Sequence, residues 1–156
     1  MKVQFRKTWY NTVKKFHADP FRYIYPENID DICDAVRKAE EEKLPIRAVG
    51  SGHSFNDIAC GNGLMIDISK LNKILDEKPG CFSQPCTGNC YVEVEAGINI
   101  HDLYKQLDDR ELSIINMGGI DNQTVAGAIA TGTHGSGLGL PAVSGFVRSM
   151  VLVASG

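Results

Sequence analysis

The sequence predicts a mixed α+β fold made of two small lobes, residues 1–75 and 76–156. Segments with strand and helix patterns alternate along the chain, and most of its 16 glycines gather in two separate windows. A turn rich in Cys, Pro and Gly lies between those windows and marks the boundary of the lobes. A chain of 156 residues is long enough for one ordinary domain or two such lobes.

The first lobe is predicted to hold a β-α-β unit. Arg22–Tyr25 is aromatic and β-branched, which favours a strand. A helix should begin after the N-cap Asn28, because apolar residues recur at helical spacing over residues 29–36, with acids leading and lysines trailing. Ile46–Val49 and residues 64–68 are predicted as the second and third strands.

The second lobe is predicted to begin with a strand. Residues 91–96 alternate apolar and acidic side chains, as a strand with one solvated face would. An amphipathic helix is marked by Ile100, Leu103, Tyr104 and Leu107. Residues 125–130 are predicted as a short helix and residues 146–154 as a final strand. Because that strand would be an unpaired edge, the sequence is expected to be an N-terminal fragment of a longer protein.

Composition and charge exclude several classes of protein. The chain is 43% hydrophobic and 22% charged, with a formal net charge of −3, which is typical of a soluble globular protein and argues against bulk capture of nucleic acid. No apolar stretch approaches the roughly 20 residues of a membrane span. The N-terminus lacks the apolar region of a secretory signal. We therefore expect no membrane span and a cytoplasmic location.

The five cysteines predict neither a disulfide scaffold nor a zinc module, because their number is odd and no paired C-x-x-C unit occurs. Three of them, Cys81, Cys86 and Cys90, lie in the turn over residues 79–90. A soft metal held by three thiolates is the alternative, but the spacing matches no common site. No metal is expected, and these thiols are assigned no role.

The first glycine window, residues 47–56, follows a predicted strand and reads Arg-Ala-Val-Gly-Ser-Gly-His-Ser-Phe-Asn. Glycine permits positive φ angles and close approach of the backbone, so that successive amides can converge on an anion. The Rossmann fingerprint G-x-G-x-x-G does not fit, because Phe55 stands three residues beyond Gly52. A Walker phosphate loop does not fit either, since no Gly-Lys-Ser/Thr follows. An ordinary glycine loop remains the alternative.

The second glycine window, residues 117–137, is dominated by small and hydroxyl-bearing side chains. From Asn122 to the C-terminus the sequence has no Asp or Glu, and Arg148 is its one Lys or Arg. An anion would have to be recognised there by amides, hydroxyls and a helix N-terminus, which suits a buried pyrophosphate better than nucleic acid. His53 and His134 lie inside the two windows, whereas His17 and His101 are assigned structural roles.

Both windows resemble the PCMH-type FAD-binding domain of the vanillyl-alcohol-oxidase superfamily, closest to its aldonolactone and alditol oxidases. The resemblance rests on Gly-Ser-Gly-His-Ser-Phe-Asn at residues 50–56 and on Val-Ala-Gly-Ala-Ile-Ala-Thr-Gly-Thr-His-Gly-Ser-Gly at residues 125–137, with Trp9 and Tyr25-Pro26 ahead of them. It spans nearly the whole chain, with residues 79–90 as an insertion. It implies two α/β subdomains that clasp FAD, residues 1–75 and 76–156, and a C-terminal substrate domain that this sequence lacks.

The resemblance assigns FAD contacts to both windows. His53 stands where these oxidases carry a covalent bond from an imidazole nitrogen to the flavin 8α carbon, and neutral imidazole is nucleophilic near pH 7. A histidine that only donates a hydrogen bond is the alternative. The resemblance gives His134 a packing or loop-fixing role. The implied cofactor-binding residues are Ala48, Val49, Gly50, Ser51, Gly52, His53, Ser54, Gly118, Gly119, Thr124, Gly127, Ala130, Thr131, Gly132 and Thr133.

Two glycines distinguish the branches of this family. Gly119 stands where alditol oxidases have a serine that also contacts substrate, which weakens the alditol assignment. Gly118 matches a position beside the flavin where a small residue is thought to admit oxygen, and glycine there resembles the lactone oxidases.

The resemblance implies hydride transfer from a sugar-derived alcohol, an aldonolactone or a polyol, to flavin, with O2 reduced to hydrogen peroxide. The general base would belong to the missing substrate domain, so no catalytic residue is assigned and the fragment alone should turn over poorly. Exposed sheet edges could lead to a homodimer. Two alternatives stay open: a non-catalytic flavin-binding module that needs a partner chain, and a fragment that holds no flavin.

Overall fold

The computed structural model describes residues 1–75 and 91–155. It divides the chain into two compact units, Met1–Leu71 with residues from Met150 onward, and Asn72–Ser149. The mixed α+β class is confirmed. The division after Leu71 lies near the predicted boundary, while the assignment of each unit to an FAD subdomain stays a prediction. The turn that contains Cys81, Cys86 and Cys90, with its interpretation as an insertion, lies outside the described residues.

A four-stranded sheet forms the centre of the first unit. The described strands are Lys2–Phe5 (β1), Trp9–Tyr10 (β2), His17–Ala18 (β3), Arg22–Tyr25 (β4), Ile46–Val49 (β5) and Leu64–Asp67 (β6). The sheet order is β1-β4-β6-β5, with β4, β6 and β5 parallel and β1 antiparallel at one edge. The strands β2 and β3 form a separate antiparallel pair. All three predicted strands of this unit are confirmed, although β6 ends one residue early because Ile68 opens a 3-10 helix, Ile68–Lys70.

The predicted helix of the first unit is confirmed as Ile29–Glu41 (α1). Asn28 is its N-cap, and its side-chain oxygen accepts from the Asp31 amide at 2.8 Å. Acidic residues lie in the first turn and Lys38 in the last, so the charges complement the helix dipole. The helix buries Ala35, Val36 and Ala39.

One face of the sheet carries a core cluster formed by Trp9, Ala18, Tyr23, Val49 and Met65. Trp9 is 7% exposed and Met65 is fully buried, so β2 is anchored on the sheet by its indole. Because β4, β6 and β5 run parallel, their carboxyl ends meet at one edge of the sheet. The first glycine window leaves the sheet from this edge.

Two helices are described in the second unit, Ile100–Asp108 (α2) and Val125–Ala130 (α3), and both confirm predicted helices. The N-cap of α2 is Asn99, whose side chain accepts from the His101 amide at 3.0 Å. The core of this unit is formed by Ile98, Leu103 and Leu107.

Two predicted strands of the second lobe are wrong in extent or type. Residues 91–96 contain one isolated antiparallel bridge, Ile74 with Val94, and the chain turns at residue 96. Residues 146–154 form no strand: a 3-10 helix covers Val143–Phe146, and irregular backbone follows. Leu152 in that segment is 81% exposed. The apolar, β-branched sequence of residues 146–154 favours a strand, but no strand among the described residues pairs with this segment.

No helix within residues 1–75 and 91–155 combines the length and apolar character needed to cross a membrane.

Candidate functional site

The first glycine window begins in β5 and continues as irregular backbone after Val49. Val49 is 3% exposed and lies in the core, so its side chain is turned away from any ligand. Ala48 and Ser51 are exposed, and residues 52–54 are half-buried. The structure therefore places the predicted residues 48–54 together as one surface loop at the carboxyl edge of the sheet.

The carbonyl groups of this loop are held by the segment that follows β2. The Thr12 hydroxyl donates to the Ser51 carbonyl at 3.0 Å, and the Thr12 amide donates to the Gly52 carbonyl at 2.9 Å. The Asn11 side-chain amide donates to the Ser54 carbonyl at 3.0 Å. Sequence reasoning missed Asn11 and Thr12, since neither lies in a recognisable motif.

The amides of the same loop have no such partners. Within the described part of the chain, none of the backbone N–H groups of residues 51–55 donates to a protein acceptor. Because the C=O and N–H of a trans peptide point in opposite directions, a carbonyl that is held on one side directs the next amide to the other. The amides of Gly52, His53 and Phe55 are thereby directed away from residues 11 and 12, as an anion-binding nest requires.

Gly52 is the residue that makes this arrangement possible. Its φ is +73°, a left-handed conformation that L side chains rarely adopt. A Cβ built there would lie 3.1 Å from Trp9 Cζ2 and 3.3 Å from Asn11 Cα. Both the backbone conformation and the close packing on the segment after β2 therefore select glycine.

His53 is half-buried within this loop. Among the described residues, the imidazole has no hydrogen-bond or ion-pair partner. A ring nitrogen that is not engaged by the protein keeps its lone pair for a ligand. The structure thus leaves the predicted attachment residue chemically accessible.

The second glycine window is organised around α3, and its amides are already used. The N-cap Thr124, 4% exposed, accepts from the Gly127 amide through Oγ1 at 3.2 Å. The first two amides of the helix, on Val125 and Ala126, donate to the Ile98 and Ala96 carbonyls at 2.9 and 3.0 Å. The expectation that a helix N-terminus recognises an anion here is therefore wrong for α3, since its opening N–H groups have protein acceptors.

Several predicted residues of this window are brought together by short contacts. The Thr131 hydroxyl donates to the Gly127 carbonyl at 2.8 Å, and the Thr133 amide donates to the Ala128 carbonyl at 3.1 Å. A Cβ on Gly118 would lie 3.1 Å from Thr133 Cγ2, so Gly118 also belongs to this group. Ala130 is exposed beside it.

Gly119 and Gly132 differ from these residues because both face open space. A Cβ on either would have no atom within 4 Å, although Gly132 also has a φ of +66°. At Gly119 neither packing against the described residues nor a positive φ requires glycine. An exposed position without a side chain, beside the Gly118 contact group, is suited to the close approach of a ligand.

Asn116 is a further residue that sequence reasoning missed. It is 6% exposed and donates to the Pro141 carbonyl at 3.3 Å. A Cβ on Gly135 would lie 2.1 Å from its Oδ1, so Gly135 is required by packing. His134 is exposed, and its Nδ1 hydrogen-bonds to the Gly135 carbonyl at 2.9 Å, which fits a loop-fixing role.

A hydrogen bond between side chains joins α2 to the segment before α3. His101 Nδ1 is 2.8 Å from Asp121 Oδ2, and this hydrogen bond lowers the pKa of the Asp121 carboxyl below its usual range. Burial, helped by the nearby Asp121 carboxylate, raises the pKa of Tyr104, and a hydrogen bond with the Gly118 backbone opposes that shift. His101, which the sequence left without a partner, thus helps to fix the backbone ahead of α3.

Metal ligands are not gathered in the part of the chain that the structure describes: no group of three His, Cys, Asp or Glu side chains lies close enough to hold an ion.

Comparison with known proteins identifies the family. A family model described as an FAD binding domain matches residues 20–156. The chain belongs to this family. As an FAD-binding domain it takes FAD as its cofactor, and the resemblance predicted from its two glycine windows is confirmed.

Curated relatives of this FAD-binding domain are aldonolactone-oxidising enzymes. The L-gulono-1,4-lactone dehydrogenase of Mycobacterium tuberculosis is 38% identical over 148 residues, which are 95% of this chain and 33% of that protein. The D-arabinono-1,4-lactone oxidase of Yarrowia lipolytica is 37% identical over 96% of this chain and 27% of its own length. L-gulonolactone oxidase of Mus musculus is 35% identical over 87% of this chain and 28% of its own. The chain thus spans a third or less of these relatives.

Solved structures share the fold of this FAD-binding domain. Cholesterol oxidase from B. sterolicum matches 86% of this chain and 25% of its own with a TM-score of 0.70 and 20% sequence identity. Aclacinomycin oxidoreductase matches 78% of this chain and 23% of its own with a TM-score of 0.65 and 21% identity.

The residues present fit FAD on structural grounds. In the first window the amides of residues 51–55 have no acceptor among the described residues, and the second window offers an open glycine at Gly119. Residues 47–56 contain no acidic residue that would repel a diphosphate. In the second window the one acid is Asp121, which hydrogen-bonds to His101. Backbone amides and hydroxyls, without acids, are the donor set that such an anion needs.

Proposed function

We propose that this chain is the FAD-binding part of a flavoprotein oxidase that oxidises a sugar-derived alcohol and passes the electrons to O2, giving hydrogen peroxide. The observation that carries the proposal is the first glycine window, whose carbonyls are held back while its amides are available to a ligand. The names of the relatives support an aldonolactone substrate rather than a polyol.

Each window has a distinct task in this proposal. The amides of Gly52, His53 and Phe55 bind the negatively charged diphosphate, which needs no cationic side chain when several N–H groups converge. Around Gly118 the second window contributes a surface with few side chains to FAD binding. The hydroxyls of Thr131 and Thr133 fix that surface, since they bond to the Gly127 carbonyl and to the Gln123 side chain. Bound FAD supplies the redox chemistry, the acceptance of a hydride from a carbinol carbon.

His53 is the proposed point of covalent attachment. A ring nitrogen would bond to the flavin 8α carbon, the nitrogen and that carbon would each lose a proton, and the two electrons released would reduce the flavin, which O2 would then reoxidise. Its half-buried position and the absence of a protein partner among the described residues support this role, because an engaged ring nitrogen could not act as a nucleophile. A covalent link would prevent loss of the cofactor.

The attachment is tested with the FAD-loaded 156-residue chain on a denaturing gel after acid treatment. Wild type should give a fluorescent flavin band, and His53→Ala should give none while still binding FAD before denaturation. His134→Ala is the matched control, because that ring lies in the other window and bonds only to its own loop. A fluorescent band in His53→Ala, or free flavin from wild type, contradicts covalent attachment through His53.

The reaction is tested with the longest natural polypeptide that contains this sequence. L-gulono-1,4-lactone and D-arabinono-1,4-lactone should each be tried, with hydrogen peroxide and reduction of an artificial dye measured in parallel. Peroxide formation supports the oxidase. Dye reduction without peroxide supports instead a dehydrogenase, as the name of the Mycobacterium tuberculosis relative suggests.

A homodimer and a cytoplasmic location complete the proposal. Both rest on the sequence, and β1 as an exposed sheet edge is where self-association would begin. Light scattering of the purified chain gives the oligomeric state, and cell fractionation gives the location.

A further inference from the structure

We infer that Asn11 is a positioning residue for the cofactor: by holding the backbone of the first glycine window, it determines that the amides of that window face the ligand. This inference rests on the proposed function and adds a residue to it that lies outside both windows. Asn11 itself is 2% exposed and faces the loop from beneath, so it acts on the backbone and not on FAD directly.

The hydrogen bonds of Asn11 use both ends of its side chain. Its Oδ1 accepts from the Lys15 and Phe16 amides at 2.9 and 3.0 Å. Its Nδ2 donates to the Ser54 carbonyl at 3.0 Å. Two amide donors on one end and a carbonyl acceptor on the other allow only one orientation of the carboxamide.

The neighbouring Thr12 completes the same contact. Through its amide and its hydroxyl it holds the Gly52 and Ser51 carbonyls. Three carbonyls of the loop are therefore turned toward residues 11 and 12. Since each peptide unit places its N–H opposite its C=O, the amides of Gly52, His53 and Phe55 are turned outward by the same contacts.

The segment that makes the contact is packed against the sheet. Trp9 is buried in the core with Val49, the last residue of β5 before the loop. The Trp9 ring also lies directly beneath Gly52. Asn11 thus connects the segment after β2 to the glycine loop after β5, and both segments are packed on the same sheet. Packing of this kind is what holds a backbone in position to within a fraction of an ångström.

Asn11→Asp tests the role with almost no change in shape. The carboxylate still accepts from the Lys15 and Phe16 amides, so the turn after β2 is kept. The carboxylate cannot donate to the Ser54 carbonyl. A carboxylate oxygen and the Ser54 carbonyl oxygen, both acceptors, would then face each other. We expect FAD binding to weaken about tenfold or more, measured by titration of flavin fluorescence, and the visible circular dichroism of the bound flavin to change.

Two further variants serve as comparisons. Thr12→Val removes the hydrogen bond to the Ser51 carbonyl and keeps that of the Thr12 amide, so its loss of affinity should be smaller. Thr8→Val is the matched control, because the Thr8 hydroxyl donates to Asp19 and not to a carbonyl of the loop. It should bind FAD like wild type.

Nuclear magnetic resonance of the backbone amides would follow the loop in the ligand-free chain. Asn11→Asp should shift the signals of Gly52, His53 and Phe55, whereas Thr8→Val should leave them in place. If Asn11→Asp is folded and binds FAD with wild-type affinity and dichroism, or if Asn11→Asp does not fold and Thr12→Val leaves those signals unmoved, the inference is overturned while the FAD site stands. If wild type binds no FAD, the proposed function fails and the positioning role fails with it.

Discussion

The two glycine windows differ in which backbone groups they leave available. In the first window, carbonyls at Ser51, Gly52 and Ser54 accept from residues 11 and 12, and the amides of residues 51–55 have no protein acceptor among the described residues. In the second window the amides at the start of α3 donate to carbonyls and to Thr124, while Gly119 and Gly132 face open space. The first window therefore offers hydrogen-bond donors to a ligand, and the second offers open space beside its backbone.

This difference shows that a glycine-rich sequence has no single structural meaning. Gly52 is required by a positive φ and by the indole of Trp9, and Gly135 is required by the side chain of Asn116. Gly119 is required by no contact with the residues that the structure describes. At Gly119 the fold would accept a larger small residue such as alanine, yet the sequence has glycine. Close approach of a ligand is the most direct explanation for glycine at such a position.

The largest effect should come from Gly52→Ala. A methyl group at φ +73° and 3.1 Å from the Trp9 ring should cost roughly 1–3 kcal/mol of unfolding free energy and displace the loop. Urea denaturation measures the first effect and FAD titration the second. Unchanged stability would mean that the loop is not packed on β2 as described.

Gly119→Ala should, in contrast to Gly52→Ala, lower the affinity for FAD without changing the stability of the fold. With no atom within 4 Å of the added methyl, the unfolding free energy should match wild type. FAD affinity should fall about tenfold, corresponding to ~1.4 kcal/mol, because the methyl occupies space proposed for the cofactor. The same two titrations measure it, and wild-type affinity would remove Gly119 from the proposed site.

Thr124→Val tests the claim that the amides of α3 serve the fold. It removes the N-cap acceptor of the Gly127 amide and should cost about 1 kcal/mol of stability. Thr124→Ser keeps an oxygen there and should recover most of it. FAD affinity, measured well below the unfolding transition, should change little, and a large loss in Thr124→Val alone would show that this hydroxyl contacts the ligand.

The parts of this chain that sequence could predict are those governed by nearby residues. The N-cap Asn28, the periodic apolar face of α1 and the short run of α3 act within one element, and each prediction is confirmed. The orientation of the first window depends on Asn11 and Thr12, which are 43 and 39 residues distant from the carbonyls they hold. Sequence patterns indicate which residues form a loop, but the packing of a distant segment decides which way its amides face.

The same limit explains the errors in the predicted second lobe. Residues 146–154 have the composition of a strand, yet a strand exists only where another strand accepts its hydrogen bonds. For His101 the sequence showed an ordinary helix position, because Asp121 is 20 residues away.

The smallest effect is expected for the hydrogen-bonded pair of His101 and Asp121. Its pH dependence tests whether the charge of Asp121 helps to fix the backbone ahead of α3. In the folded chain the pKa of Asp121 lies below its usual value, so the pair stabilises the fold above the unfolded pKa of about 3.9 and loses this contribution as the pH falls through the lower folded value. Asp121→Asn should therefore lower the melting temperature slightly near neutral pH and not at all in strong acid. Thermal unfolding of both proteins from about pH 6 to about pH 2 should show their curves converging, since the pair is largely solvent-exposed and its contribution is screened. Curves that stay parallel would assign the effect of the substitution to packing, and the second window would then be held by hydrogen bonds that do not titrate.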